Sequence, residues 1–153
     1  MVIFRRAATT LTSLRVICGL VLLFWPSLPL RPSVAVLLLG VVTDWLDGPL
    51  ARRTVPTPIG ARFDLEADSL LTLGAAVAAV RRGAPAVVLV APFARYGVVP
   101  AQDRDDVRWD RTTGVTQMLL LAGALARLPV TWLMIPVTAA RCAVLVARVN
   151  RAR

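Results

Sequence analysis

The chain has 153 residues, 57% of them hydrophobic, a mean hydropathy of +0.68 and a formal net charge of +9. So apolar a composition excludes an ordinary soluble domain, and arginines that flank apolar runs without forming a stripe argue against a nucleic-acid surface. There is no lysine and no histidine, so the usual transition-metal ligand and the usual neutral-pH acid–base are both missing; carboxylates must carry any metal or proton chemistry, and oxygen-only ligands favour Mg²⁺, Mn²⁺ or Ca²⁺.

Residues 1–13 place Val2, Ile3, Phe4 and Leu11 beside Arg5 and Arg6, a pattern that fits either a short N-terminal interfacial helix or a frayed terminus. Six apolar segments follow, and the expected fold class is all-α: a polytopic membrane protein with six transmembrane helices in a single domain over residues 1–153. The spans are expected at about 14–30, ended by Pro26, Pro29 and Pro32, then at 33–52, 64–80, 84–99, 113–128 and 130–149. The first is read as a retained helix, because no small-residue cleavage site follows Trp25. With the N-terminus inside, twelve arginines fall on the inner face and four (Arg31, Arg81, Arg82 and Arg127) on the outer. That bias predicts a cell-membrane protein with both termini and the loop around residues 52–63 in the cytoplasm. Cys18 and Cys142 fall in apolar segments and are expected as small core residues without a disulfide.

The informative stretch joins the second and third spans. Asp44 and Asp47 are three residues apart near the end of one, and Asp64 and Asp68 are four apart at the start of the other. Spacings of three and four put each pair on one helix face, and the short loop predicts that the two helices are antiparallel neighbours. Four carboxylates brought to one point repel strongly in a low dielectric, and one or two divalent cations would relieve this. Between the pairs, Gly48 permits close approach of a ligand, Arg52 offers a fixed cation for a phosphate, and Thr57 offers a hydroxyl. A plain alternative is that the aspartates pair with Arg52, Arg53 and Arg62 at the membrane surface. Glu66 is rotated about 200° from Asp64 and is expected to face away, toward an arginine such as Arg62.

The order D-x2-D-G-x2-A-R, then G-x3-D-x3-D, carried here by Asp44, Asp47, Gly48, Ala51, Arg52, Gly60, Asp64 and Asp68, resembles the signature of the CDP-alcohol phosphotransferases. The loop from Arg53 to Ile59 is seven residues, one shorter than is usual in that family. Leu11-Thr12-Ser13-Leu14-Arg15 looks like the polar start of the family's first membrane helix, and Arg111 to Gln117 like the start of its fifth. The resemblance implies transfer of a phosphatidyl group from CDP-diacylglycerol to a small polar alcohol, such as glycerol 3-phosphate or an inositol phosphate, with release of CMP in phospholipid synthesis. It implies two Mg²⁺ or Mn²⁺ ions on Asp44, Asp47, Asp64 and Asp68, with Asp68 also the catalytic base. It further implies nucleotide contacts from Gly48, Arg52 and Thr57, and a homodimer as one arrangement.

Two arginines inside later spans, Arg95 and Arg141, need a partner or a wet cavity; Arg95 is a candidate contact for the acceptor or its phosphate. Tyr96, Thr116 and Gln117 read first as helix-contact residues. Asp103, Asp105 and Asp106 lack the spacing of a Ca²⁺ loop and read as solvated. Two other functions fit the same residues: a small multi-pass cation-binding transporter, which would place carboxylates near the bilayer midplane, and an inactive homologue of the family.

Overall fold

A computed structural model describes residues 2–25, 27–51, 58–90, 92–93, 107–129 and 131–151. Among them the chain is all-helical, with five α-helices and no strand. These are α1 (Val2–Phe24), α2 (Leu30–Ala51), α3 (Pro58–Arg81), α4 (Val107–Leu125) and α5 (Met134–Arg151), with short 3-10 turns at Ala86–Leu89 and Thr131–Leu133. The segment expected to form a separate interfacial helix is continuous with α1, which has no breaker between Val2 and Phe24. Of the expected fourth span, residues 84–90 and 92–93 are described and include the 3-10 turn at Ala86–Leu89; the rest lies outside the described residues.

Prolines punctuate the first turnaround. The α1 backbone ends at Phe24; Pro29 precedes α2, and its carbonyl accepts both the Ser33 N–H at 3.0 Å and the Ser33 hydroxyl at 2.9 Å. Pro32 sits in the first turn of α2, where a missing N–H costs nothing. The chain turns after α3 at Gly83, whose φ of +95° lies in the left-handed region that glycine adopts without a steric penalty.

The packing order differs from the expected one. Helix α1 lies between α2 and α3 and makes extensive contact with both, while α2 and α3 touch each other only sparsely. A short connection does not force adjacency when a third helix fits the gap better, and glycine provides that fit. A Cβ at Gly19 would meet the Leu70 carbonyl carbon and the Leu71 nitrogen at 2.9 Å, and one at Gly74 would collide with the Gly19 carbonyl oxygen. The α1 and α3 backbones are therefore in near contact, as small residues allow between helices. Both run the same way: Arg15 lies beside Asp64 and Asp68, and the Leu23 carbonyl accepts a hydrogen bond from Arg81 at the other end. Arg82 donates there to the Leu28 carbonyl and, at 3.0 Å, to the Ser33 hydroxyl, so two guanidiniums bind the carbonyl-rich turn between α1 and α2.

Helix α4 packs on α3 and α2, and α5 on α4. The interior mixes leucines and alanines (Leu22, Leu37, Leu71, Ala75, Ala79, Leu121) with buried polar side chains, including Thr12, Arg15, Thr72, Gln117 and Thr138. Gln117 donates to the Thr138 hydroxyl at 3.4 Å, a helix–helix contact as expected. Cys18 and Cys142 are both free. Large apolar side chains face outward instead, among them Ile17, Phe24, Leu38, Trp45, Leu119 and Trp132. Helices α1, α2 and α3 run for 23, 22 and 24 residues, yet no helix among the described residues is long and apolar enough to cross a membrane.

Candidate functional site

Three of the four predicted aspartates, Asp44, Asp64 and Asp68, converge, and the element that gathers them is α1. Arg15 is fully buried. Its Nη1 donates to Asp64 Oδ1 at 2.8 Å and to Asp68 Oδ1 at 2.9 Å, while Nη2 lies 3.3 Å from Asp44 Oδ1. Three carboxylates from two helices thus share one guanidinium from a third. Thr12, one turn before Arg15, adds its hydroxyl to Asp64 Oδ1 at 3.4 Å.

Local sequence explains each placement. Asp64 and Asp68 are one turn apart near the start of α3, so both project on the same face. Asp44 lies in the last third of α2. Arg15 precedes Gly19 by one turn, and the near contact at Gly19 brings the α1 backbone close enough for its side chain to reach both α3 carboxylates. A guanidinium is suited to this position, because it presents several donors in a fixed plane and stays charged when buried.

The site is layered by exposure. The side chains of Asp44 and Asp64 are 45% and 47% exposed, that of Asp68 is 18% exposed, and Arg15 lies beneath them at 0%. The cluster opens toward the end of the bundle where α2 finishes and α3 begins. Among these four side chains three negative charges face one positive, so the group as a whole attracts cations.

Asp47 and Gly48 lie on α2, but their surroundings fall outside the described part of the structure; Arg52, Thr57 and Arg95 lie outside the described residues altogether. Glu66 is exposed, in line with the expectation that it faces away from the cluster. Asp44, Asp64 and Asp68 all pair with Arg15, which in the sequence stands only at the polar start of the first expected span. The signal was present: Arg15 is the one charged residue in the first expected span, and an arginine within an apolar run calls for a partner.

Among the described residues no group of three or more acidic, histidine or cysteine side chains is arranged to hold a metal ion. The carboxylates close on Arg15 nitrogens instead. Their chemistry nonetheless fits a hard divalent cation: the donors are carboxylate oxygens that converge on one guanidinium, with negative charge in excess.

Helices of this packing, with aspartates from two of them meeting at one end of the bundle, define an all-helical protein built to place a cation-attracting acidic centre. The chain belongs to the CDP-alcohol phosphatidyltransferase family, whose model matches residues 5–102, well over half of the sequence. That match includes Arg15 and all four motif aspartates. The family consists of transferases for phosphate-containing groups: a phosphatidyl group passes from a CDP-alcohol to an acceptor, and members generally use divalent metals. No curated protein and no solved structure matches the chain.

Proposed function

We propose that this protein is a membrane-embedded phosphotransferase that moves the phosphatidyl group of CDP-diacylglycerol to a small polar alcohol, releasing CMP. The observation that carries the reading is the meeting of Asp44, Asp64 and Asp68 at one end of the bundle. Asp44, Asp47, Asp64 and Asp68 would hold two divalent cations, Mg²⁺ or Mn²⁺, which when bound supply charge neutralisation for the donor diphosphate and for the departing CMP. The acceptor oxygen forms a bond to the phosphorus of the phosphatidyl group, the bond from that phosphorus to the CMP oxygen breaks, and Asp68 takes the acceptor's proton. Gly48, Arg52 and Thr57 bind the cytidine nucleotide. Arg95 would contact the acceptor and so favour an alcohol that itself carries a phosphate.

The bilayer placement rests on two features. Many large apolar side chains are exposed on the outside of the helices while several polar side chains are buried among the leucines and alanines within, the arrangement that lipid-facing helices adopt. The arginine bias then sets the carboxylate end and both termini at the cytoplasmic face. Carboxylates at the end of the bundle suit an enzyme drawing a soluble alcohol from the cytoplasm, whereas a cation pathway would need them near mid-length. The test is CMP release from labelled CDP-diacylglycerol in mixed micelles containing Mg²⁺ or Mn²⁺, across a panel of alcohols including glycerol 3-phosphate, an inositol phosphate and serine. Acceptor-dependent release supports the reading, and its absence with every alcohol refutes it.

A further inference from the structure

We propose that Arg15 is a built-in counter-ion that holds the aspartate cluster together without metal and competes with a divalent cation for the same carboxylate oxygens. The proposal rests on the metal-dependent reading of the site above. Its basis is the position of a single nitrogen. Arg15 Nη1 sits 2.8 Å from Asp64 Oδ1 and 2.9 Å from Asp68 Oδ1, so one positive charge already draws on two of the carboxylates that a divalent cation would need. Nη2 extends the same charge to Asp44 at 3.3 Å.

The guanidinium is fully buried while Asp44 and Asp64 are about half exposed, so its charge meets the carboxylates from below and a metal would approach from above. Both cations draw on the same negative charge and repel each other across a few ångströms. Little intervening water screens them on the buried side. Without Arg15, three carboxylates from α2 and α3 would lose the positive charge they share, and the helices would be held together less well until a metal bound. Arg15 therefore makes the fold independent of the metal, at the cost of weaker metal binding.

Mn²⁺ titrations of the full chain in detergent test this, with binding followed by calorimetry and stability by thermal unfolding in EDTA and in saturating Mn²⁺. Arg15→Gln is expected to bind Mn²⁺ at least about tenfold more tightly than wild type, since one nearby positive charge is gone. Its unfolding temperature should fall well below wild type in EDTA and recover much of that deficit in Mn²⁺, as linkage requires of a tighter ligand. Arg15→Lys keeps the charge and should stay within about threefold of the wild-type affinity. Equal or weaker binding by Arg15→Gln, the same stability deficit in both buffers, or failure of Arg15→Gln to fold even in Mn²⁺ would each overturn the role given to Arg15. Absence of Mn²⁺ binding in wild type and in both variants would instead overturn the metal reading of the site, and this proposal with it.

Discussion

Gly19→Ala is a one-carbon change one turn along α1 from Arg15, and it should damage both the fold and the site. The new Cβ would lie 2.9 Å from the Leu70 carbonyl carbon and from the Leu71 nitrogen, where ordinary contact begins at 3.4 Å. Backbone atoms cannot rotate aside, so α1 must back away from α3 by roughly 0.5–1 Å, a strain that costs about 2–3 kcal/mol by analogy with overpacked cores. Alanine recovers about 1 kcal/mol through its better helix propensity, which leaves a net loss of about 1–2 kcal/mol. Arg15 sits one turn before Gly19, with its Nη1 contacts at 2.8 and 2.9 Å. The same displacement would stretch them beyond about 3.2 Å, the outer edge of a good N–H···O bond. Misplacement on this scale should slow CMP release by about ten- to a hundredfold. Denaturant unfolding in mixed micelles reads the first effect and the CMP assay the second. Gly40→Ala is the comparison: its Cβ would meet the branched end of the Leu71 side chain, which can shift where backbone cannot, so the loss should be smaller. A Gly19→Ala protein as stable and as active as wild type would refute the close α1–α3 packing on which the site depends.

Other expectations separate the two ends of the bundle. Asp64→Asn should lower CMP release by at least about a hundredfold because it removes a carboxylate from the centre, whereas Glu66→Gln, three residues earlier than Ser69 and exposed, should leave both rate and stability within about 0.5 kcal/mol of wild type. Arg82→Ala deletes the bonds to the Leu28 carbonyl and the Ser33 hydroxyl and should cost about 1.5–3 kcal/mol of stability, with KM for the nucleotide donor unchanged in the same assay. Arg127 follows α4 with φ of 59°, closing a turn in which the Leu128 N–H bonds the Gly123 carbonyl at 2.9 Å. Arg127→Gly removes the side-chain penalty of that left-handed conformation and should stabilise the protein by about 0.5–1 kcal/mol, read from the shift in unfolding midpoint.

The helical class and the pairing of carboxylates were legible from apolar runs and from spacings of three and four, because both are local properties of a helix. Pro29 and Pro32 marked the first turnaround for the same reason. The arrangement of the helices was not legible. A short loop between α2 and α3 pointed to direct neighbours, but Gly19 and Gly74 allow α1 to approach α3 so closely that α1 takes the place between them. Arg15 was overlooked on that account. Its partners on α3 lie 49 and 53 residues away in the chain, and no periodicity encodes a contact of that range. What local sequence did show, a lone charge among apolar neighbours, states only that a partner must exist.

The most direct test of the account is Asp68→Asn, compared with wild type for CMP release and for binding of a cytidine nucleotide. Loss of turnover with nucleotide binding largely retained is the predicted result. A variant that releases CMP at a near-normal rate would contradict a reaction centred on the carboxylates that α1 gathers from α2 and α3.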